Sequence, residues 1–162
     1  MLALIDGDVV AYKCAAATER TFYSVDGVEF RYKREANEWC LDNGLTTVNE
    51  KGKTIPDPDA ITSFRVREDD SHLYHNLKMM MERILTDTGS DDSRTFLTGE
   101  GNYRYELAVT QPYKGNRKGK PPPTNLQDAR SYLLSKYDAE IVDGAEADDA
   151  LGFVQSSSTD TC

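Results

Sequence analysis

Apolar positions along the chain come in short blocks separated by turn residues. Leu2-Ala3-Leu4-Ile5 is a continuous apolar run that stops at Asp6-Gly7-Asp8, a pattern that predicts a buried strand, and the Ala- and Val-rich Val9 to Ala17 predicts a helix after it. Two alternating runs, Thr21 to Val25 and Val28 to Tyr32, surround Asp26-Gly27 and predict a hairpin. Lys33 to Leu41 has helical composition and stops near Asn43-Gly44, and Thr46 to Asp59, with glycine and two prolines, reads as irregular. Leu73, Leu77, Met80, Ile84 and Leu85 recur at helical spacing and end at Gly89-Ser90. Arg94 to Thr98 and Glu140 to Val142 predict two further strands, with a helix over Asn125 to Tyr137 between them.

Strands alternating with helices predict the α/β class: an open, mainly parallel sheet flanked by helices, with polar residues gathered past the carboxyl ends of the strands. Residues 1–162 read as one domain, interrupted at about 20–60 by a hairpin-plus-helix insertion. A chain of this length, 38% hydrophobic, can bury one core. No segment reaches the ~18 to 20 apolar residues of a membrane span, and Asp6 interrupts the N-terminus too early for a signal-peptide core. A soluble, cytoplasmic monomer is therefore expected. Cys14, Cys40 and Cys162 are odd in number and far apart, which predicts reduced thiols rather than a disulfide framework or zinc site.

The formal net charge of −9 argues against a polyanionic partner unless the charge is distributed unevenly. It is. Asp6 ends the first strand, Glu100 follows the second between Gly99 and Gly101, and Glu146, Asp148 and Asp149 follow the third. Phosphodiester hydrolysis brings hydroxide to an anionic phosphate, and two divalent ions about 4 Å apart supply the positive charge and the acidified water it needs. Hard ions such as Mg²⁺ or Mn²⁺ call for converging carboxylates. Each acid also has a simpler reading. Asp6 and Asp8 can cap the first helix, Glu146, Asp148 and Asp149 can complement a helix dipole, and Glu100 can be a turn residue.

The opposite charge is concentrated at Gln111 to Lys120, where Lys114, Arg117, Lys118 and Lys120 precede Pro121-Pro122-Pro123. A basic loop beside metal-neutralised carboxylates can grip the phosphates of a nucleic acid, and Tyr113 and Tyr103 can stack on an unpaired base. The simpler reading is a solvated basic loop with no partner.

These segments resemble the phage and bacterial 5′ to 3′ exonucleases and flap endonucleases, a family with a PIN-like α/β domain. Ile5-Asp6-Gly7-Asp8 resembles the family's opening motif, Thr98-Gly99-Glu100-Gly101 its acid after the second strand, Tyr113-Lys114-Gly115-Asn116-Arg117 its basic loop, and Glu146-Ala147-Asp148-Asp149 its acidic cluster. The resemblance covers residues 1–19 and roughly 73–155. It implies a structure-specific DNA nuclease with two Mg²⁺ or Mn²⁺ ions held by Asp6, Glu100, Glu146, Asp148 and Asp149, Asp8 standing behind them. Lys114 and Arg117 would be catalytic, with Tyr113, Lys118 and Lys120 binding nucleic acid. The implied partner is DNA with a free 5′ end or flap, or an RNA–DNA hybrid, in a host cell's cytoplasm if phage-encoded. The family's fourth strand, which carries a further aspartate pair, and its helix-hairpin-helix module have no counterpart, so the C-terminal part of the fold is expected to be missing. Two alternatives stay open: a PIN-type single-strand ribonuclease, and a module that binds nucleic acid without turnover.

Overall fold

A computed structural model describes residues 1–107, 121–158 and 161–162. The chain forms two compact units: residues 1–18 with 68–162, and residues 19–67.

The first unit is built on a parallel sheet. Its strands are β1 (Leu2–Asp6), β7 (Asp92–Thr98) and β8 (Glu140–Val142), in the order β1-β7-β8. Both pairings are parallel, with Asp6 opposite Phe96 and Thr98 opposite Val142. On the other edge of β1, Leu2 makes a parallel bridge to Thr161, and the Leu4 N–H donates to the Cys162 carbonyl at 2.8 Å. The mixed α/β class with a helix-flanked parallel sheet is thus the one expected from the alternation of apolar runs and helical periods.

Helices α1 (Gly7–Ala17), α3 (Asp70–Thr88) and α5 (Leu126–Lys136) pack together against this sheet. The core joins Ala3 and Ile5 of β1, Leu97 of β7, Val10, Ala11, Cys14 and Ala15 of α1, Leu73, Leu77 and Met81 of α3, and Ala129 and Leu133 of α5. Along α3 the fully buried positions recur every fourth residue, and Met81 rather than Met80 lies deepest. Tyr74 and Tyr132 stack with centroids 4.9 Å apart across α3 and α5. A short helix, α4 (Arg104–Leu107), and α6 (Ala147–Ser157), which packs on all three strands, complete the unit.

The second unit holds the predicted hairpin, β2 (Glu19–Val25) and β3 (Val28–Phe30), and the predicted helix α2 (Lys33–Asp42). It also holds strands within Thr46 to Asp59, where the sequence predicts irregular structure, and one beyond it. β4 (Thr46–Val48) pairs antiparallel with β5 (Thr54–Pro56), a 3₁₀ turn spans Pro58–Ala60, and β6 (Thr62–Arg67) pairs antiparallel with β2. Three-residue strands carry too little period to be seen, and the edge position of β5 tolerates its proline. Because β6 belongs to this unit, it runs to Arg67 rather than to about residue 60.

Gly7 fixes how closely α1 approaches the sheet. A Cβ there would lie 2.8 Å from the Phe96 carbonyl oxygen, 2.8 Å from Thr95 Cγ2 and 2.9 Å from Leu97 Cδ2. The carbonyl belongs to a paired strand and cannot yield without disturbing it. Gly7→Ala should therefore cost about 1 to 3 kcal/mol, read as a lower urea midpoint at unchanged slope.

Candidate carboxylate site at the sheet edge

Parallel register places the carboxyl ends of β1, β7 and β8 side by side, and the residues that leave those ends form one acidic edge. Asp6 closes β1 and caps α1, its Oδ1 accepting from the backbone N–H groups of Asp8 at 3.0 Å and Val9 at 3.1 Å. Burial raises the Asp6 carboxyl above the usual carboxylate range. The Val9 and Asp8 N–H groups oppose the rise, while the negative charges of Asp8 and Asp148 add to it. Asp6 therefore feels both its own motif and the α6 cluster.

Asp8 reaches across to β7. Its Oδ2 accepts the Thr98 N–H at 2.8 Å, its Oδ1 pairs with Arg130 of α5, and Arg130 also donates to the Thr98 carbonyl at 2.6 Å. These contacts make Asp8 a brace between the start of α1, the end of β7 and α5. The N-cap of α1 is Asp6 and not Asp8, and Arg130, the partner of Asp8, is a residue the sequence pattern does not single out.

Beyond Thr98 the backbone turns tightly against the β8 end. Gly99 donates to the Val142 carbonyl at 2.7 Å, and Glu100 N–H donates to Asp143 Oδ1 at 3.0 Å. A Cβ on Gly99 would collide with the Asp143 carboxylate and with Ile141 Cγ2. Glu100 is exposed at this turn, and Asp143, an acid the sequence reading passed over, lies beside it.

Glu146 and Asp149 form a reciprocal capping box at the start of α6, with the Glu146 N–H donating to Asp149 Oδ2 at 3.0 Å. The Ala147 N–H donates to Thr98 Oγ1 at 3.1 Å, which ties α6 to the end of β7. Glu146 is only 8% exposed, a costly position for a carboxylate without a cation. Arg104 of α4 supplies that cation. Its guanidinium donates to Glu146 Oε2 at 2.5 Å and Asp149 Oδ1 at 2.6 Å, and lies 3.7 Å from Asp148 Oδ1. Arg104 was also missed; the usable signal was a basic residue four positions past Glu100 in an acidic neighbourhood.

The structure thus gathers Asp6, Asp8, Glu100, Glu146, Asp148 and Asp149 along one edge. Lys114, Arg117, Tyr113, Lys118 and Lys120 lie outside the described residues. Tyr103 is exposed beside Arg104, whose guanidinium stands 5.8 Å from its ring centroid. Among the described residues, no three His, Cys, Asp or Glu side chains are gathered closely enough to form a metal ligand set. The donors along the edge are carboxylates, which suit a hard divalent ion in kind, and Arg104 and Arg130 are the cations that pair with them.

No family model matches the chain, and neither the curated proteins nor the solved structures searched contain a match.

Since the folded-state Asp6 carboxyl is raised, the folded chain holds a proton there at pH values where the unfolded chain has lost it, and ionised Asp6 costs stability above that window. Asp6→Asn should stabilise the protein at pH 7 by at most about 1 kcal/mol. The gain should shrink as pH falls through the raised Asp6 value, and paired thermal melts across pH 3 to 7 read the difference.

Proposed function

We propose that this chain is a divalent-metal-dependent nuclease of the PIN-like class, acting on DNA with a free 5′ end or flap. The observation that carries the reading is the common edge: acids follow three adjacent parallel strand ends, and the charge of Asp148, from a segment more than a hundred residues away, reaches Asp6. Structural acids serve caps singly. Here cap, brace and capping box all fall along the carboxyl edge of one parallel sheet, which supports a charge-handling site at the topological position where open parallel sheets bind ligands.

In this reading Asp6, Glu100, Glu146, Asp148 and Asp149 hold Mg²⁺ or Mn²⁺, with two ions in the complete site. Such ions acidify water and offset the charge that builds on phosphate. Asp8 and Arg130 fix the end of β7, so that Glu100 and Asp148 keep their positions when the substrate's charge arrives. Arg104 and Arg130 bracket residues 108–120 in sequence and attach on both sides to the acidic edge. Lys114 and Arg117 on that segment steady the scissile phosphate, while Tyr113, Lys118 and Lys120 hold the flanking strand.

One observation favours a second reading. Arg104 already meets the charge of Glu146 and Asp149, as it would in a module that binds nucleic acid without turnover. Cleavage of a 5′-labelled DNA flap with Mg²⁺ or Mn²⁺, set beside single-stranded RNA, separates the possibilities. The nuclease reading predicts metal-dependent flap cleavage that Asp148→Asn lowers by about 100-fold or more, at least the upper range for a residue that only supports a metal ligand. Binding without cleavage in the wild type would favour the module, and preference for RNA the ribonuclease.

A further inference from the structure

The second unit carries a face whose chemistry the acidic edge does not use. Its sheet runs β3-β2-β6, and α2 covers one side, where Tyr23, Val25 and Phe30 pack with Ala36, Trp39 and Cys40. Alternation along β2 turns Arg20 and Phe22 to the opposite side, and the register sets Val66 across from Arg20 and Phe64 across from Phe22. Phe22 and Phe64 stack with centroids 5.8 Å apart and planes 18° from parallel, and the Arg31 guanidinium lies 5.1 Å from the Phe22 centroid. Phe64 is 37% exposed and Val66 47%, on a strand exposed at every position.

A cross-strand phenyl pair stabilises the ladder it belongs to, and that accounts for the pairing of β2 with β6. It does not account for leaving Phe64 and Val66 exposed beside a half-buried Phe22, with Arg31 over its ring, when α2 covers the other side. Aromatic rings flanked by guanidinium groups on an open antiparallel sheet match the needs of unpaired bases: flat apolar surfaces for stacking and cations for the phosphates between. Glu29, opposite Ser24, places an acid on this face toward the β2–β3 turn. A double helix presents no unstacked base to such a surface.

We infer that the β2–β6 face, through Phe22, Phe64 and Arg31, binds single-stranded nucleic acid by base stacking. This surface lies wholly within the second unit and stands independently of whether the chain cleaves. In the nuclease reading it gives residues 19–67 a task, which is to hold an unpaired strand.

Fluorescence anisotropy of a labelled oligothymidylate, with the full chain in excess chelator, tests it without any contribution from cleavage. Phe64→Leu keeps an apolar side chain for the ladder but removes the ring, and should weaken binding between about 5- and 100-fold. Phe64→Tyr should bind as the wild type does, and Arg31→Gln should flatten the dependence on salt by about one counterion. Circular dichroism of each variant confirms that it is folded. Equal affinities for wild type, Phe64→Leu and Phe64→Tyr would overturn the proposal. So would sedimentation showing that the wild type self-associates and Phe64→Leu does not, since a second copy would then be the occupant. A chain that stacks oligothymidylate but cleaves no flap sinks the nuclease reading and leaves this one standing; metal-dependent cleavage with unchanged Phe64→Leu binding does the reverse.

Discussion

Pairing of two arginines with the carboxylates at one edge of a three-stranded parallel sheet is the interaction on which the first unit's functional edge depends. Parallel pairing leaves β1, β7 and β8 with neighbouring carboxyl ends, and each is followed by acids. Two arginines answer that charge. Arg130 ties Asp8 to the backbone of Thr98, and Arg104 spans the α6 capping box. Removing either would leave a partly buried carboxylate without its cation, which costs far more than losing a surface pair.

The same edge shows an arrangement at odds with stability. Asp6 is a good helix cap, yet its carboxyl is raised by burial and by two negative neighbours. A cap alone would be served as well by serine or asparagine, without the repulsion. A buried cap carboxylate beside like charges, where a neutral residue would stabilise, is the feature that the proposed function would explain.

The first unit was legible because its signals are long or chemically sharp. Leu2 to Ile5 is a continuous apolar run closed by Asp-Gly, α3 buries a residue every fourth position, and Glu140–Val142 ends on a turn before an acidic helix start. The acids were readable because each follows a strand. Arg104 and Arg130 were hidden by isolation: a single arginine in a polar stretch does not declare which carboxylate it will meet about 40 or 120 residues away. The second unit was half legible. Its Asp26-Gly27 turn announces the β2–β3 hairpin, but β6 lacks a turn signal of its own, and the Phe22–Phe64 pair arises only from a register across 42 positions.

Manganese relaxation of backbone amide signals tests the central claim most directly, because it reports where a divalent ion sits whether or not the chain turns over. Binding at the carboxylate edge predicts that low Mn²⁺ selectively broadens the amides of Asp6, Asp8, Glu100 and Asp148, and that Mg²⁺ in excess restores them. Broadening scattered over the acidic surface, or none at these strand ends, would contradict a metal site there and leave the acids as caps held by Arg104 and Arg130.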